Sequence, residues 1–386
     1  MRPFLSQRLS GLVQSDIRYM TRECDRVGGI NLGQGLCELP TPSIVRDGAA
    51  RAINAGRNAY SYPEGVHELR DAIAQKLERE QGLAVDPAAE VVVTVGASGA
   101  FAATLTALLD PGDGLLLLEP YYGYHLNTAI VAGLEPQFLE LEAPAFRLDG
   151  RRLTAAIRPS TRAIVVCTPS NPCGRMFSRG ELELLDTIAS EHDLLVITDE
   201  VYEYVRFDGR EHISPAAVGR LRERSVSITS LSKTFSITGW RIGYAVAPKD
   251  MAHAITLVND LYYVCAPTPL QLAVADGFSG PRAYFDDLAS TFQMKRDKIC
   301  GALASAGMAP VVPEGAYYVL ADVSELGYDS AREAALGVLE HTGVASVPGS
   351  AFYRGKAGER FLRFCFAKEE EQLDEACRRL ERQMVR

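Results

Sequence analysis

Short, almost unbroken apolar runs recur along this chain, each separated from the next by a stretch of helical periodicity. They are Val91 to Val95, Leu115 to Leu118, Ala163 to Cys167, Leu194 to Thr198, Val226 to Thr229 and Ile242 to Ala247. A strand with one face in water alternates apolar and polar residues, whereas a strand covered on both faces has no need to. The runs therefore predict a mostly parallel sheet flanked by helices, an α/β architecture. Turn residues bound them: the first ends at Gly96, and the second follows Pro111-Gly112-Asp113-Gly114. Helices fit between. Glu68 to Glu80 carries Leu69, Ala72, Ile73 and Leu77 on one stripe, a second helix runs from near Ser98 to Leu109, and a third spans Glu181 to His192.

The last third reads differently. A helical stretch from Pro281 to Gly307 precedes a strand at Ala316 to Ala321 and another at Val344 to Val347. Arg360 to Phe366 alternates, and Glu369 to Met384 is a terminal helix with an acidic first turn, as the helix dipole favours. The expectation is a large domain over residues 45–275 and a smaller α+β domain built from residues 1–44 and 276–386. No internal repeat or low-complexity linker interrupts this plan.

With 386 residues, 47% of them hydrophobic, the chain can fill two cores. Its net charge of -9 argues against nucleic acid or an anionic membrane surface as partner. No run of about 18 apolar residues occurs, and the opening MRPFLSQRLSGLVQSD lacks the apolar block of a secretory signal. The 8 cysteines form no CxxC pair and read as reduced, buried thiols of a cytoplasmic protein. His67, His125, His192, His212, His253 and His341 show no ligand spacing, so no metal is expected. His125 stands apart because it follows an aromatic cluster. Gly33-Gln34-Gly35 starts like a dinucleotide fingerprint but lacks the third glycine, and neither a phosphate-loop GxxxxGK nor an HExxH occurs.

One segment points to chemistry. In Ser230 to Tyr244 (SLSKTFSITGWRIGY), Lys233 sits among Ser230, Ser232, Thr234 and Ser236, and Arg241 follows. Small hydroxyl neighbours suit an amine held in a polar pocket beside an anion. An amine of lowered pKa forms a Schiff base with an aldehyde or ketone. Other segments offer matching parts. Gly96-Ala97-Ser98-Gly99-Ala100 closes a strand and opens a helix, a place for a phosphate. Asp199 ends a strand, where α/β sites form and where helix caps also occur. Arg363 lies inside the apolar run Phe361 to Phe366, so its guanidinium needs an anion, either a ligand or a carboxylate of the chain.

Taken in order, these motifs resemble those of the class I/II, fold type I, pyridoxal phosphate-dependent aminotransferases. The resemblance extends to Asn31-Leu32-Gly33-Gln34-Gly35, Glu119-Pro120-Tyr121-Tyr122, Asn171-Pro172-Cys173-Gly174 and Asp199-Glu200-Val201-Tyr202, and so covers nearly the whole chain. It implies a seven-stranded, mostly parallel sheet and a bound pyridoxal 5'-phosphate. Lys233 is then the Schiff-base lysine and proton carrier. Asp199 partners the pyridine nitrogen, while Asn171 and Tyr202 donate to the phenolic oxygen. Tyr122 stacks on the ring, and Ala97, Ser98, Gly99, Ser230 and Arg241 cup the phosphate. Arg363, Gly35 and Asn171 take the substrate carboxylate. Tyr60 matches a tyrosine that reaches the phosphate of the neighbouring subunit, which implies a homodimer with shared active sites.

Within the family, NLGQG, NPCGRMFSRGELELL, ITDEVYEYVRFDG and CAPTPLQ look most like the kynurenine aminotransferase, glutamine transaminase K and methionine aminotransferase branch. That implies transfer of an amino group from an aromatic, sulfur-containing or amide L-amino acid to a 2-oxo acid. Two departures fall where the substrate side chain is expected. His125 stands where the family has tyrosine, and Cys37-Glu38-Leu39 replaces the usual Pro-Asp/Glu-Phe. Cys173 also replaces a usual threonine. A changed pocket is compatible with β- or γ-elimination or replacement, on a cysteine conjugate or S-adenosylmethionine, or with oxidase chemistry. A non-catalytic binding protein on the same fold is a further alternative, against which the intact Lys233 argues.

Overall fold

The computed structural model describes residues 16–383, together with Phe4, Ser6, Arg8, Gly11 and Leu12. Most of the opening segment read for a secretory signal, and Met384 of the expected terminal helix, lie outside the described residues. A short strand β1 (Ile30–Asn31) comes first. Then β2 (Val91–Val95), β3 (Gly114–Glu119), β4 (Glu135–Glu140), β5 (Thr161–Cys167), β6 (Leu195–Asp199), β7 (Ser225–Ser230) and β8 (Ile242–Val246) build one seven-stranded sheet in the order β2-β8-β7-β6-β5-β3-β4. The pairs from β7 through β4 are parallel. β8 runs antiparallel to both β2 and β7.

The apolar runs are continuous because this sheet is buried on both faces. Leu115, Leu117, Ala163, Val165, Ile197, Val226 and Ile228 pack on one side with Ala100 and Phe101 of the helix Gly96–Leu108. Leu116, Leu118, Ile164, Val166 and Val196 pack on the other with Leu182, Leu185 and Ile188 of the helix Arg179–Glu191. Strand β4 gave no such run. As the outer strand it buries Gln137 and Leu139 but leaves Glu135 exposed, so Glu-Pro-Gln-Phe-Leu-Glu looks like loop in the sequence.

A smaller antiparallel sheet follows, formed by β9 (Ala309–Val311), β10 (Tyr318–Asp322), β12 (Val347–Pro348) and β13 (Phe361–Cys365) in the order β12-β13-β10-β9. The strand expected at Val344 to Val347 is in fact two: β11 (Val344–Ala345) leaves this sheet to pair in parallel with β1, Ile30 against Val344. The bonds Leu32 N–H to Ala345 O (3.0 Å), Cys365 N–H to Leu32 O (2.6 Å) and Glu38 N–H to Ala367 O (3.0 Å) continue that seam. The expected alternation of β13 does not appear as one wet face, since all five residues are buried. Leu362 and Phe364 join the cluster of Phe292 and Tyr317, while Phe361 joins that of Phe352. Among the described residues no helix is long and apolar enough to cross a membrane.

Candidate active site

In parallel α/β sheets the strand C-terminal ends open onto a crevice, and the chain concentrates chemistry there. Tyr122 follows β3, Asn171 follows β5, Asp199 ends β6 and Ser230 ends β7. Because β8 is reversed, the residue before its start, Arg241, reaches the same edge. Together with Gly35, Ala97, Ser98, Tyr202, Lys233 and Arg363 these line one cavity of about 500 Å³.

Lys233 lies on the short helix Leu231–Thr234, capped by the Ser230 hydroxyl, which accepts from Ser232 N–H at 3.2 Å. Of its hydroxyl neighbours, Ser230, Ser232 and Thr234 are buried and Ser236 is half-buried. The Lys233 Nζ donates to Gly35 O at 3.1 Å and stands 5.6 Å from the Tyr317 ring centre. Burial lowers its pKa from the ordinary lysine value, and the Arg241 guanidinium adds to that. The amine is therefore more readily neutral, and nucleophilic, than a surface lysine.

Arg363 is the largest side chain in the fully buried interior, 1% exposed. Its Nη1 donates to Asn171 Oδ1 at 2.8 Å and its Nη2 to Gly33 O at 2.6 Å, while its guanidinium lies 4.3 Å from the Tyr318 ring centre. Its Nε has no partner among the described residues, and both its hydrogen-bond acceptors are uncharged. A buried guanidinium satisfied by neutral acceptors alone is costly unless an anion completes it. The pull of Arg363 on Asn171 Oδ1 also leaves the Asn171 amide nitrogen free to donate.

A second cation faces a helix N-terminus. Arg241 sits in the left-handed region, φ 58, with Nη1 bonded to Thr238 O at 3.0 Å. Gly96 opens the helix Gly96–Leu108 at φ +67, and a Cβ there would collide with the Arg241 guanidinium. Glycine is thus required twice at this turn, by its conformation and by the close approach of the cation. The amides of that first turn, the Ser98 and Ser230 hydroxyls and Arg241 gather donors at one end of the cavity, a setting that suits a phosphate dianion. The buried Ser232 Oγ, without a partner among the described residues, adds one more polar atom at the cavity wall.

Asp199 accepts from His125 Nε2 at 3.0 Å and weakly from Val201 N–H at 3.4 Å. Tyr202 donates to Tyr318 Oη at 3.1 Å. Burial pushes the Tyr202 hydroxyl well up and the Tyr318 hydroxyl up to about 12, so both stay protonated donors at neutral pH. Burial raises Tyr122 as well. Tyr122 stacks on Tyr124 at 5.2 Å between ring centres and meets His125 edge-on at 5.3 Å. The group set suits pyridoxal phosphate: a phosphate cradle, a carboxylate, neutral hydroxyl and amide donors, an aromatic face and an amine.

Some expected residues stand off the cavity wall. A side chain at Gly99 would face Tyr263, while its amide belongs to the first turn of the helix beside Ala97 and Ser98. Tyr60 is 82% exposed on a loop that lines a separate hollow with Thr268. Cys37 does not face the substrate space either: its Sγ contacts Ser236 Oγ at 3.2 Å, and Leu36 takes its place on the wall. Conversely, Tyr318, Arg18 and Arg22 line the cavity without having carried a sequence signal. Tyr318 was hidden in an apolar run, and the two arginines look like ordinary charges on a surface helix. His125, set apart in the sequence by its aromatic neighbours and expected near the substrate side chain, instead stands beside Asp199.

A family model described as aminotransferase class I and II matches residues 27–380. The solved structure of an N-succinyldiaminopimelate aminotransferase from Mycobacterium tuberculosis superposes with a TM-score of 0.94 at 35% identity, covering 98% of this chain and 99% of that one. An Escherichia coli structure, reported with a methionine aminotransferase function, gives a TM-score of 0.94 at 32% identity over 98% of this chain and 100% of the other. The human kynurenine–oxoglutarate transaminase 3 is 32% identical over 406 residues, covering 96% of this chain and 88% of that protein.

Proposed function

Since this chain belongs to the class I and II aminotransferase family, pyridoxal phosphate-dependent enzymes that move amino groups between amino acids and 2-oxo acids, we propose that Lys233 is its catalytic amine and Arg363 its substrate clamp. When bound, pyridoxal phosphate supplies an aldehyde that takes the amino group and a ring that accepts the electron pair left at Cα. Every other task falls to the chain. Lys233, its pKa lowered by burial, would hold the aldehyde and, once displaced, would take the proton from the substrate Cα and deliver it to the former aldehyde carbon. Asp199, oriented by His125, holds a proton on the ring nitrogen. Asn171 and Tyr202 donate to the phenolic oxygen. Ala97, Ser98, Ser230 and Arg241 bind the phosphate, and Tyr122 covers the ring. Arg363 pairs with the substrate α-carboxylate beside Asn171 and Gly35, which fixes the Cα–H bond before Lys233 Nζ.

The observation that supports this reading most is the buried Arg363, satisfied only by neutral acceptors and sharing a wall with Lys233. An aromatic, sulfur-containing or amide side chain, as in the kynurenine, glutamine K and methionine branch, would lie against Ile17, Leu36 and Tyr124. The free thiols, mostly buried, suit a cytoplasmic setting. Tyr60, exposed beside Tyr62 on a loop held by Thr268 Oγ1 to Ala59 O (2.7 Å), is open to contact with a second copy, which supports the reading that it reaches a partner's phosphate site.

Borohydride reduction of the holoenzyme, followed by peptide mass spectrometry, tests the lysine. We expect the reduced cofactor on the peptide containing Lys233, and none on the Lys233→Ala protein. Label on another lysine, or none on the wild type, defeats the assignment.

A further inference from the structure

The helix Asp16–Val27 turns Met20 and Cys24 into the core and lays Ile17, Arg18, Thr21 and Arg22 along the cavity. Positions i, i+1, i+4 and i+5 share a helix face, so the two arginines stand one turn apart on the same side. Of the other charges on this helix, Asp16 meets Arg332 at 3.9 Å and Glu23 meets Arg26 at 2.9 Å, while exposed Asp25 has no ion pair among the described residues. Arg18 and Arg22 have no ion pair and no hydrogen bond among the described residues, and both are exposed at the mouth. Among the described residues the only carboxylate on the cavity wall is Asp199, already bonded to His125. On a chain with a net charge of -9, two unpaired guanidinia at the mouth of a cavity are a local reversal of sign.

The helix is also fixed relative to the reacting groups. Thr21 Oγ1 accepts from Asn31 Nδ2 at 3.1 Å, and Asn31 Oδ1 takes the N–H groups of Gly33 (2.9 Å) and Gln34 (3.0 Å). That same loop supplies Gly33 O to Arg363 and Gly35 O to Lys233. The cationic mouth and the buried arginine are thus registered to one another through a single loop.

We propose that Arg18 and Arg22 are specificity-determining residues that hold the distal carboxylate of a dicarboxylic substrate. This rests on the reading of Arg363 as the α-carboxylate site. One carboxylate enters the buried clamp and the second meets the mouth. Both arginines are long and exposed, so they extend into water when the substrate side chain is apolar and lies against Ile17 and Leu36. One cavity then accepts an uncharged amino donor and an acidic 2-oxo acceptor in turn.

The test uses the holoenzyme and a fixed amino donor. The acceptors are 2-oxoglutarate, oxaloacetate and the monocarboxylic 2-oxohexanoate, assayed with wild type, R18Q/R22Q and R18K/R22K. We expect the double glutamine variant to lower the ratio of kcat/KM for the better dicarboxylic acid over 2-oxohexanoate about tenfold. The change should lie in KM, with part of it restored by the lysine pair, and added salt should erode the wild-type preference. An unchanged ratio overturns the proposal, as does a wild type that turns over 2-oxohexanoate but neither dicarboxylic acid. Absence of turnover with every acceptor would instead count against the aminotransferase roles assigned above. Circular dichroism melts establish that the variants fold.

Discussion

Arg363 and Asp199 show how single residues divide the labour of the cavity. Replacing Arg363 by Gln should raise KM for every α-amino acid by the equivalent of about 2–4 kcal/mol, the scale of a lost buried charge-assisted pair. Steady-state kinetics on several donors check it, and an unchanged KM counts against the clamp. Asp199 and its neighbour Glu200 make a sharper contrast. Burial disfavours the Glu200 carboxylate, but His212 Nε2 at 2.8 Å, Thr198 and Ser214 outweigh it and hold its pKa below the usual range. Glu200→Ala should therefore lower the melting temperature, whereas Asp199→Ala should leave melting nearly intact and abolish turnover. The pH response of Lys233 follows from its environment. Burial lowers its pKa, so capture of cofactor by the apoprotein should rise with pH and reach its midpoint below about 10.4, the free-lysine value. A midpoint at or above that value would contradict the buried amine. Lysine, aspartate and asparagine were legible in the sequence because each stands at a strand end within a distinctive local motif. Tyr318 was not, and His125 was marked without its partner Asp199, since these contacts arise only when β3, β6 and β10 are brought together.

Among the elements, the helix Arg179–Glu191 carries the clearest local logic. Ser178 and Glu181 form a capping box, with Ser178 N–H to Glu181 Oε2 at 2.9 Å, and Glu181 Oε1 also takes Arg175 Nη2 at 2.7 Å. Burial would raise the Glu181 pKa, but Arg175 and the amides of Leu148 and Ser178 bring it down to about 2. A carboxyl lower in the folded than in the unfolded chain contributes stability that is complete above its unfolded pKa. That stability is lost as pH falls from about 4.3 towards the folded value. Thermal melts across that window should show a steep loss for wild type and a flatter one for Glu181→Gln. Elements with an unbroken apolar run or a clear cap were readable to within a few residues. The outer strand β4 was not, because only Gln137 and Leu139 are fully buried and its mixed pattern merges with loop. The break between β11 and β12 was equally hidden, since one apolar run, Val344 to Val347, serves two sheets.

At the level of the whole molecule, exposed Tyr60, Tyr62, Leu261 and Tyr262 lie on segments joined by Asn259 Nδ2 to Pro63 O at 3.0 Å. A water-exposed aromatic surface of this kind suits burial by a second copy. Light scattering should give twice the 42.0 kDa chain mass. Mixing inactive Lys233→Ala chains with Tyr60→Ala chains should regain activity, because a hybrid pair unites an intact lysine with an intact tyrosine. Mixtures no more active than their parts would rule out sharing. The seam between β1 and β11 has a different consequence, one of timing. Gly33 and Gly35, which touch Arg363 and Lys233, are held in place by strands more than 300 residues downstream. On the ribosome, β1 of a nascent chain has no strand to pair with until residue 345 has emerged, although Gly35 and Cys37 meet Lys233 and Ser236 earlier. The pocket is therefore assembled last, by the end of the chain returning to its beginning.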